Sequence, residues 1–169
     1  LTQVQVGNGQ LDWDATIGSR LPDTDIASDA VAAITLRELA THTSGLPRVP
    51  DNLDPADPLN PYLGYDRALL LAFLAGFKPD TLVKEYAYSN LGAGLLGEIA
   101  GDASGPGYVE AIRRDVLLPL GMNDTGVFTP NIHPDRRAHG FSGGADMPNW
   151  DGFDALAGAG GLLSTVDDM

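Results

Sequence analysis

The stretch "YAYSNLGAGLLGEIAGDASG", residues 86–105, carries apolar side chains at Leu91, Leu95, Leu96 and Ile99. That spacing predicts a helix with those four on its inward face. Ser89 stands where an N-cap belongs, its hydroxyl able to take a backbone N–H of the first turn. Around the cap, Tyr88 and Asn90 set a phenol and a carboxamide two residues apart. Two readings are open. In one, Ser89 is only a cap and Tyr88 packs ahead of it as an apolar neighbour. In the other, the pair handles a substrate. A tyrosine hydroxyl, with an ordinary pKa of ~10, serves as general base or proton shuttle only beside cationic groups. An asparagine amide can donate to a substrate carbonyl and accept from an ammonium. Both roles require a serine or a lysine from elsewhere.

Further helices flank this one. "ITLRELATHTSGLP", residues 34–47, predicts a short helix capped by Thr35, with Leu36, Leu39 and Ala40 on one face and Gly45 and Pro47 stopping it. "YDRALLLAFLAGF", residues 65–77, predicts a helix capped near Asp66, apolar around most of its girth and hence buried. "GPGYVEAIRRDVLLPLGM", residues 105–122, has Pro106 in a first turn, Tyr108, Ile112 and Val116 facing inward, and Pro119 with Gly121 at its end. "LDWDATIGSRLPD", residues 11–23, reads as a loop-rich connector. Residues 49–61, dense in proline and aspartate, read as irregular surface loop. Strand-like stretches are few, at 125–129 and 160–165. A helical lobe with sheet only towards its C-terminal end is the expected architecture.

Composition narrows the function classes. The 169 residues suit one domain with a sizeable core. Ten Lys and Arg against 23 Asp and Glu leave a formal charge of -13, which repels phosphate backbones and anionic lipid. Nucleic acid and membrane surfaces are therefore not expected partners. No cysteine is present, which excludes thiol catalysis and disulfides. No apolar run approaches the ~20 residues of a membrane-spanning helix. At the start, Gly7 or Gly9 closes the last turn of a helix, and at the end Ser164 or Thr165 caps a new one above Asp167 and Asp168. We expect an internal fragment of a longer protein.

Three shorter motifs fail on their context. "GFSGG", residues 140–144, fits the G-x-S-x-G pattern, but a nucleophile elbow needs a buried strand before it and a helix after it. It reads as a glycine-rich loop. His133 and His139 flank Asp135 without a helical pairing or a third ligand at a recognisable spacing, so no metal site is expected. "GAGG", residues 158–161, lacks the lysine and the helix of a phosphate cradle. Close approach of backbone to backbone, or to a substrate, explains those glycines better. No cofactor is implied.

Taken together and in order, "ITLRELATHTSGLP", "YAYSNLGAGLLGEIAGDASG", "VLLPLGMNDTGV" and "AGAGGLLSTVDDM" resemble the β-lactamase-related serine hydrolases. That family includes class C β-lactamases, D-alanyl-D-alanine carboxypeptidases and β-lactamase-like esterases. "GNGQLDWDATIGSRLPD" resembles the stretch after the family's nucleophile helix. The resemblance implies an α+β fold, an all-α lobe facing an α/β lobe with the site between them, of which residues 1–169 cover mainly the α lobe. It implies acyl transfer by the Ser of an S-x-x-K motif, opposed by Y-x-N and closed by a K-T-G or H-T-G strand. Only Y-x-N matches here. By resemblance Tyr88 would shuttle a proton between the Ser hydroxyl and the leaving group, and Asn90 would hold the substrate amide and help orient the Lys.

No serine in this sequence has lysine three places on, and neither Lys78 nor Lys84 is followed by Thr-Gly. In the family, the first motif lies upstream of where Leu1 begins and the third downstream of Met169. We therefore expect the fragment to lack the start of the nucleophile helix and the C-terminal strands, to be catalytically inert alone, and to be marginally stable. The expected parent is a serine hydrolase acting on amides, β-lactams or esters, with a small-molecule or peptide substrate. The alternative is a binding protein of the same fold whose parent has lost the nucleophile. Oligomeric state is left open. Relatives acting on cell-wall peptides or β-lactams are exported while some esterases stay inside, so the resemblance leans towards export.

Overall fold

The computed structural model describes residues 1–127, 134–150 and 152–169. Helices α1 (Thr2–Gly7), α2 (Ile17–Arg20), α3 (Asp29–Ala32), α4 (Leu36–Ala40) and α5 (Arg67–Gly76) precede the 15-residue α6 (Asn90–Ser104). Helix α7 (Tyr108–Ile112) runs on into a π-helical turn, Arg113–Leu117. Strands β1 (Gly126–Val127) and β4 (Leu162–Leu163) pair antiparallel, as do β2 (Gly140–Ser142) and β3 (Ala145–Met147). Two 3-10 segments, Pro134–Arg136 and Asp154–Ala159, complete the described elements.

Helix α6 is the axis of the core, and two different faces of it are buried. Leu91, Leu95 and Ile99 lie at the expected spacing and are fully buried, with Leu36 and Leu39 of α4 in the same core. Leu96 is only half-buried. The second face is glycine. Gly94, Gly97 and Gly101 let the Asp154–Ala159 segment and the start of α7 lie directly on the helix backbone. A Cβ on Gly97 would stand 2.9 Å from the Gly158 Cα, and one on Gly94 2.6 Å from Leu156 Cδ2. The "GAGG" run reads correctly as a close backbone approach: a Cβ on Gly158 would meet the Ala93 carbonyl at 2.7 Å.

Polar contacts fasten the smaller helices. Gln5 is fully buried and donates its Nε2 to Ala100 O and Ser104 Oγ, each at 2.7 Å, which ties α1 to α6. Gly9, at φ +79, follows α1 as the left-handed residue. Thr35 and Glu38 form a capping box on α4. Thr16 and Ser19 form another on α2, a helix inside the stretch expected to be connector. Short helices with local caps leave too few periodic positions to show in sequence. The Asp66 carboxylate caps α5 as expected, accepting from Leu69 N at 3.0 Å.

Other expectations are corrected. Ala40 is exposed, and α4 ends there, well before Gly45. Helix α5 buries only Leu70, Phe73 and Leu74, while Leu69 is exposed, because a single layer of neighbours covers it. Its outer side is anchored instead by Arg67, which reaches Glu98 at 2.8 Å and Asp102 at 2.6 Å on α6. Pro106 precedes α7, whose cap is Gly107 at φ +88. Tyr108 and Val116 are half-buried, so Ala111, Ile112 and Leu117 form the inward set. Residues 49–61 are irregular, as expected.

The sheet material includes more than expected. Gly126 pairs with Leu163 and Val127 with Leu162; Phe128, Thr129 and His133 lie outside the described residues. "GFSGG" is the first strand and turn of an exposed hairpin, with Gly143 and Gly144 both at positive φ, +60 and +84. Two left-handed residues give the twist that a tight hairpin favours. Strand-turn-strand is not the context of a nucleophile elbow. Because α6 and the 154–159 segment touch through bare backbone, Gly97→Ala should cost about 1–3 kcal/mol and roughly 2–10 °C in Tm, despite alanine's better helix propensity. Gly76→Ala, with nothing within 4 Å of the new methyl, should be neutral in the same thermal unfolding assay.

Candidate functional site

The segment ending in Tyr88-Ser89-Asn90 is held by the loop that leaves α4. That loop turns at His42, whose φ of +58 is left-handed and unusual for a non-glycine residue. The turn brings the His42 carbonyl to Ala87 N at 2.8 Å and His42 Nδ1 to Ser89 N at 3.3 Å. Six residues on, the Arg48 carbonyl accepts from Asn90 N at 2.9 Å and Leu91 N at 3.2 Å. Two of the N–H groups that a helix start leaves unpaired are thus satisfied by one loop carbonyl.

Ser89 is the cap the sequence predicts. Its hydroxyl donates to Pro47 O at 2.7 Å and accepts from Gly92 N at 2.9 Å. Ser89 and Ser44 are each 1% exposed, so neither can reach a substrate as nucleophile. Further out, Lys84 pairs with Glu38 at 2.9 Å. The capping-box carboxylate of α4 therefore also ties down the approach to Tyr88.

Tyr88 and Asn90 come together on one cleft of about 310 Å³. Tyr88 is 44% exposed; its ring rests on His42 with centroids 4.6 Å apart and has the Arg48 guanidinium 5.2 Å from its centroid. Asn90 donates from Nδ2 to the Tyr62 hydroxyl at 2.8 Å. Tyr62 is buried against Trp150 and Phe153, at centroid distances of 5.5 and 5.3 Å. Leu156, Ala159 and Gly160 close the far side. So the glycine-rich 158–161 run does double duty, packing on α6 and lining the cleft.

Four residues of this cleft escape a reading of the sequence alone. Arg48, Tyr62, Trp150 and Phe153 all lie in irregular segments, where no period marks a direction. Tyr62 brings the irregular loop that precedes α5 to the wall of the cleft. Chemically the cleft offers a phenol, a carboxamide, one guanidinium and an aromatic wall. No helix among the described residues is long and apolar enough to cross a membrane.

The family model described as Beta-lactamase matches residues 1–169, and the chain belongs to the beta-lactamase family of serine hydrolases. The chain is 35% identical over 137 residues to the D-alanyl-D-alanine-carboxypeptidase/endopeptidase AmpH of Escherichia coli, covering 80% of this chain and 34% of that one. It is 29% identical over 136 residues to a beta-lactamase of Providencia stuartii, covering 79% and 32%. The class C beta lactamase from Rhodobacter sphaeroides superposes with a TM-score of 0.78 at 26% identity, covering 99% of this chain and 45% of that one. The fold is thus the α+β, β-lactamase-like one, represented mainly by its helical part. The chain spans about a third of the length of these curated relatives.

Glu38 gives this frame a pH signature. Burial alone would raise its carboxyl, but hydrogen bonds from Lys84 and Thr35 and the Lys84 charge outweigh burial and hold it below the ordinary glutamate value. A lowered folded pKa means that the unfolded state binds more protons, so this contribution is complete above the unfolded value and is lost as pH falls through the folded one. In urea denaturation from pH 3 to 7, the stability difference between wild type and Glu38→Gln should shrink towards the acid end. A pH-independent difference would show that the charge contributes nothing.

Proposed function

We propose that residues 1–169 are an internal part of a serine hydrolase domain and supply one wall of its acyl-transfer site, acting on an amide, β-lactam or ester bond. The observation that carries this reading is the joint exposure of Tyr88 and Asn90 on one cleft, on a frame of backbone hydrogen bonds, in a chain of this family. Tyr88 moves the proton between the attacking serine hydroxyl and the leaving group. Asn90 holds the substrate amide and orients the lysine that activates the serine. Both positions fit the physical demand: a proton shuttle must reach solvent and substrate yet be held in one geometry. Arg48, over the Tyr88 ring, steadies it by a cation–π contact of about 0.5–1 kcal/mol.

The serine and lysine belong to parts of the domain outside this chain, as do the strands that close the site. The substrate is a small molecule or a peptide, in keeping with relatives named as a beta-lactamase and a D-alanyl-D-alanine carboxypeptidase/endopeptidase. The acidic chain disfavours anionic polymers.

A fluorescent penicillin, read by intact mass, tests the reading. The full-length protein should be acylated, and the 169-residue chain alone should remain unlabelled. In the full-length protein, Tyr88→Phe should slow acylation by about 10²–10⁴, the usual worth of a positioned acid–base group. A folded full-length protein that is never acylated, and that hydrolyses neither nitrocefin nor a p-nitrophenyl ester, would point instead to a binding protein that keeps the cleft without the chemistry.

A further inference from the structure

We infer that Tyr62 is a positioning residue of this site: its hydroxyl takes one N–H of the Asn90 carboxamide and so directs the rest of that amide into the cleft. The inference rests on the acyl-transfer reading above. A side-chain amide turns about its last torsion over a broad, shallow range, and an unrestrained one would present nitrogen and oxygen by turns. Here the residue is held at its main chain and at the nitrogen of its side-chain amide. The Asn90 backbone N–H is bonded to Arg48 O at 2.9 Å, and its Nδ2 donates to Tyr62 at 2.8 Å. Among the described residues no hydrogen bond reaches Oδ1. The side chain therefore offers the cleft a carbonyl acceptor and one remaining N–H. That pairing suits an ammonium on one side and a substrate carbonyl on the other.

Tyr62 is able to do this because it is itself immobile. It is 9% exposed and wedged between Trp150 and Phe153. The loop that carries it is pinned just beyond: Tyr65 N bonds to the Tyr62 carbonyl at 3.1 Å, and the Tyr65 hydroxyl donates to Asn52 Oδ1 at 2.9 Å. Asn52 in turn donates to Leu69 O at 2.8 Å, fixing the loop on α5. Ala155 N reaches Tyr65 O at 3.3 Å, joining the loop to the segment after Phe153. An otherwise irregular loop thus delivers one hydroxyl to a fixed point.

A double-mutant cycle in the full-length protein tests this, with nitrocefin and a p-nitrophenyl ester as reporter substrates. Tyr62→Phe keeps the ring stack and removes only the hydroxyl. It should lower kcat about three- to tenfold, the worth of one neutral hydrogen bond, with KM and Tm nearly unchanged. In an Asn90→Ala background the same change should have no further effect. A Tyr62→Phe protein as active as wild type, or losses that multiply in the double variant, would overturn the inference while leaving the acyl-transfer reading intact. Should Asn90→Ala itself be silent, both fall. Should Tyr62→Phe fail to fold, the ¹⁵N side-chain amide signal of Asn90 in the wild type, identified by its loss in Asn90→Asp, decides. Slow hydrogen exchange of one of its two protons supports the bond, and equal, rapid exchange of both overturns it.

Discussion

The contact on which most of the structure depends has almost no side chain in it. Helix α6 and the 154–161 segment meet through the bare backbone of Gly94, Gly97 and Gly158, too close for a Cβ on any of the three. Such proximity maximises dispersion contact between the two main chains and leaves no void to fill. It also fixes the site. Asn90 opens α6, so whatever lies along that helix determines what faces its N-terminus. Because the later segment lies flat on α6, Leu156, Ala159 and Gly160 arrive opposite Tyr88 and Asn90. A helix with leucine in place of these glycines would hold that wall farther off.

Charge is used sparingly near this frame. Arg67 bonds Glu98 and Asp102, and the resulting hydrogen bonds and charges raise its own pKa against the opposing effect of burial. The effect on Glu98 is the reverse of what a salt bridge alone would give: burial comes first and pushes its carboxyl up, the arginine offsetting only part of it. This pair serves better as an orienting clamp between α5 and α6 than as a source of stability, since desolvation takes back much of the Coulombic gain. The cleft itself keeps Arg48 out of any ion pair among the described residues, in a chain that is otherwise strongly acidic.

What could be read from the sequence follows from what each signal measures. Ser89, Thr35 and Asp66 were recognisable as caps because capping is local chemistry. Leu91, Leu95 and Ile99 were recognisable because apolar periodicity reports a buried face. The glycine face of α6 was not, since glycine contributes nothing to that period and reads as a helix breaker. The one-sided burial of α5 was hidden for a related reason: a leucine-rich helix does not say how many neighbours will cover it. At the site, Tyr88 and Asn90 stood out through the order of four segments. Tyr62, Trp150 and Phe153 meet only through tertiary placement of loops, and no spacing announces such a meeting.

The clamp on Tyr88-Ser89-Asn90 is made largely by main-chain carbonyls at positions 42, 47 and 48. A carbonyl is present whatever side chain hangs beside it. The frame at Arg48 is therefore indifferent to the arginine, which projects over Tyr88 while its carbonyl does the holding. Position 48 behaves as an interchangeable fitting on a permanent mount. Replacing the arginine would change the charge at the mouth of the cleft and remove its contact with the Tyr88 ring, while the carbonyl that holds Asn90 and Leu91 would stay where it is.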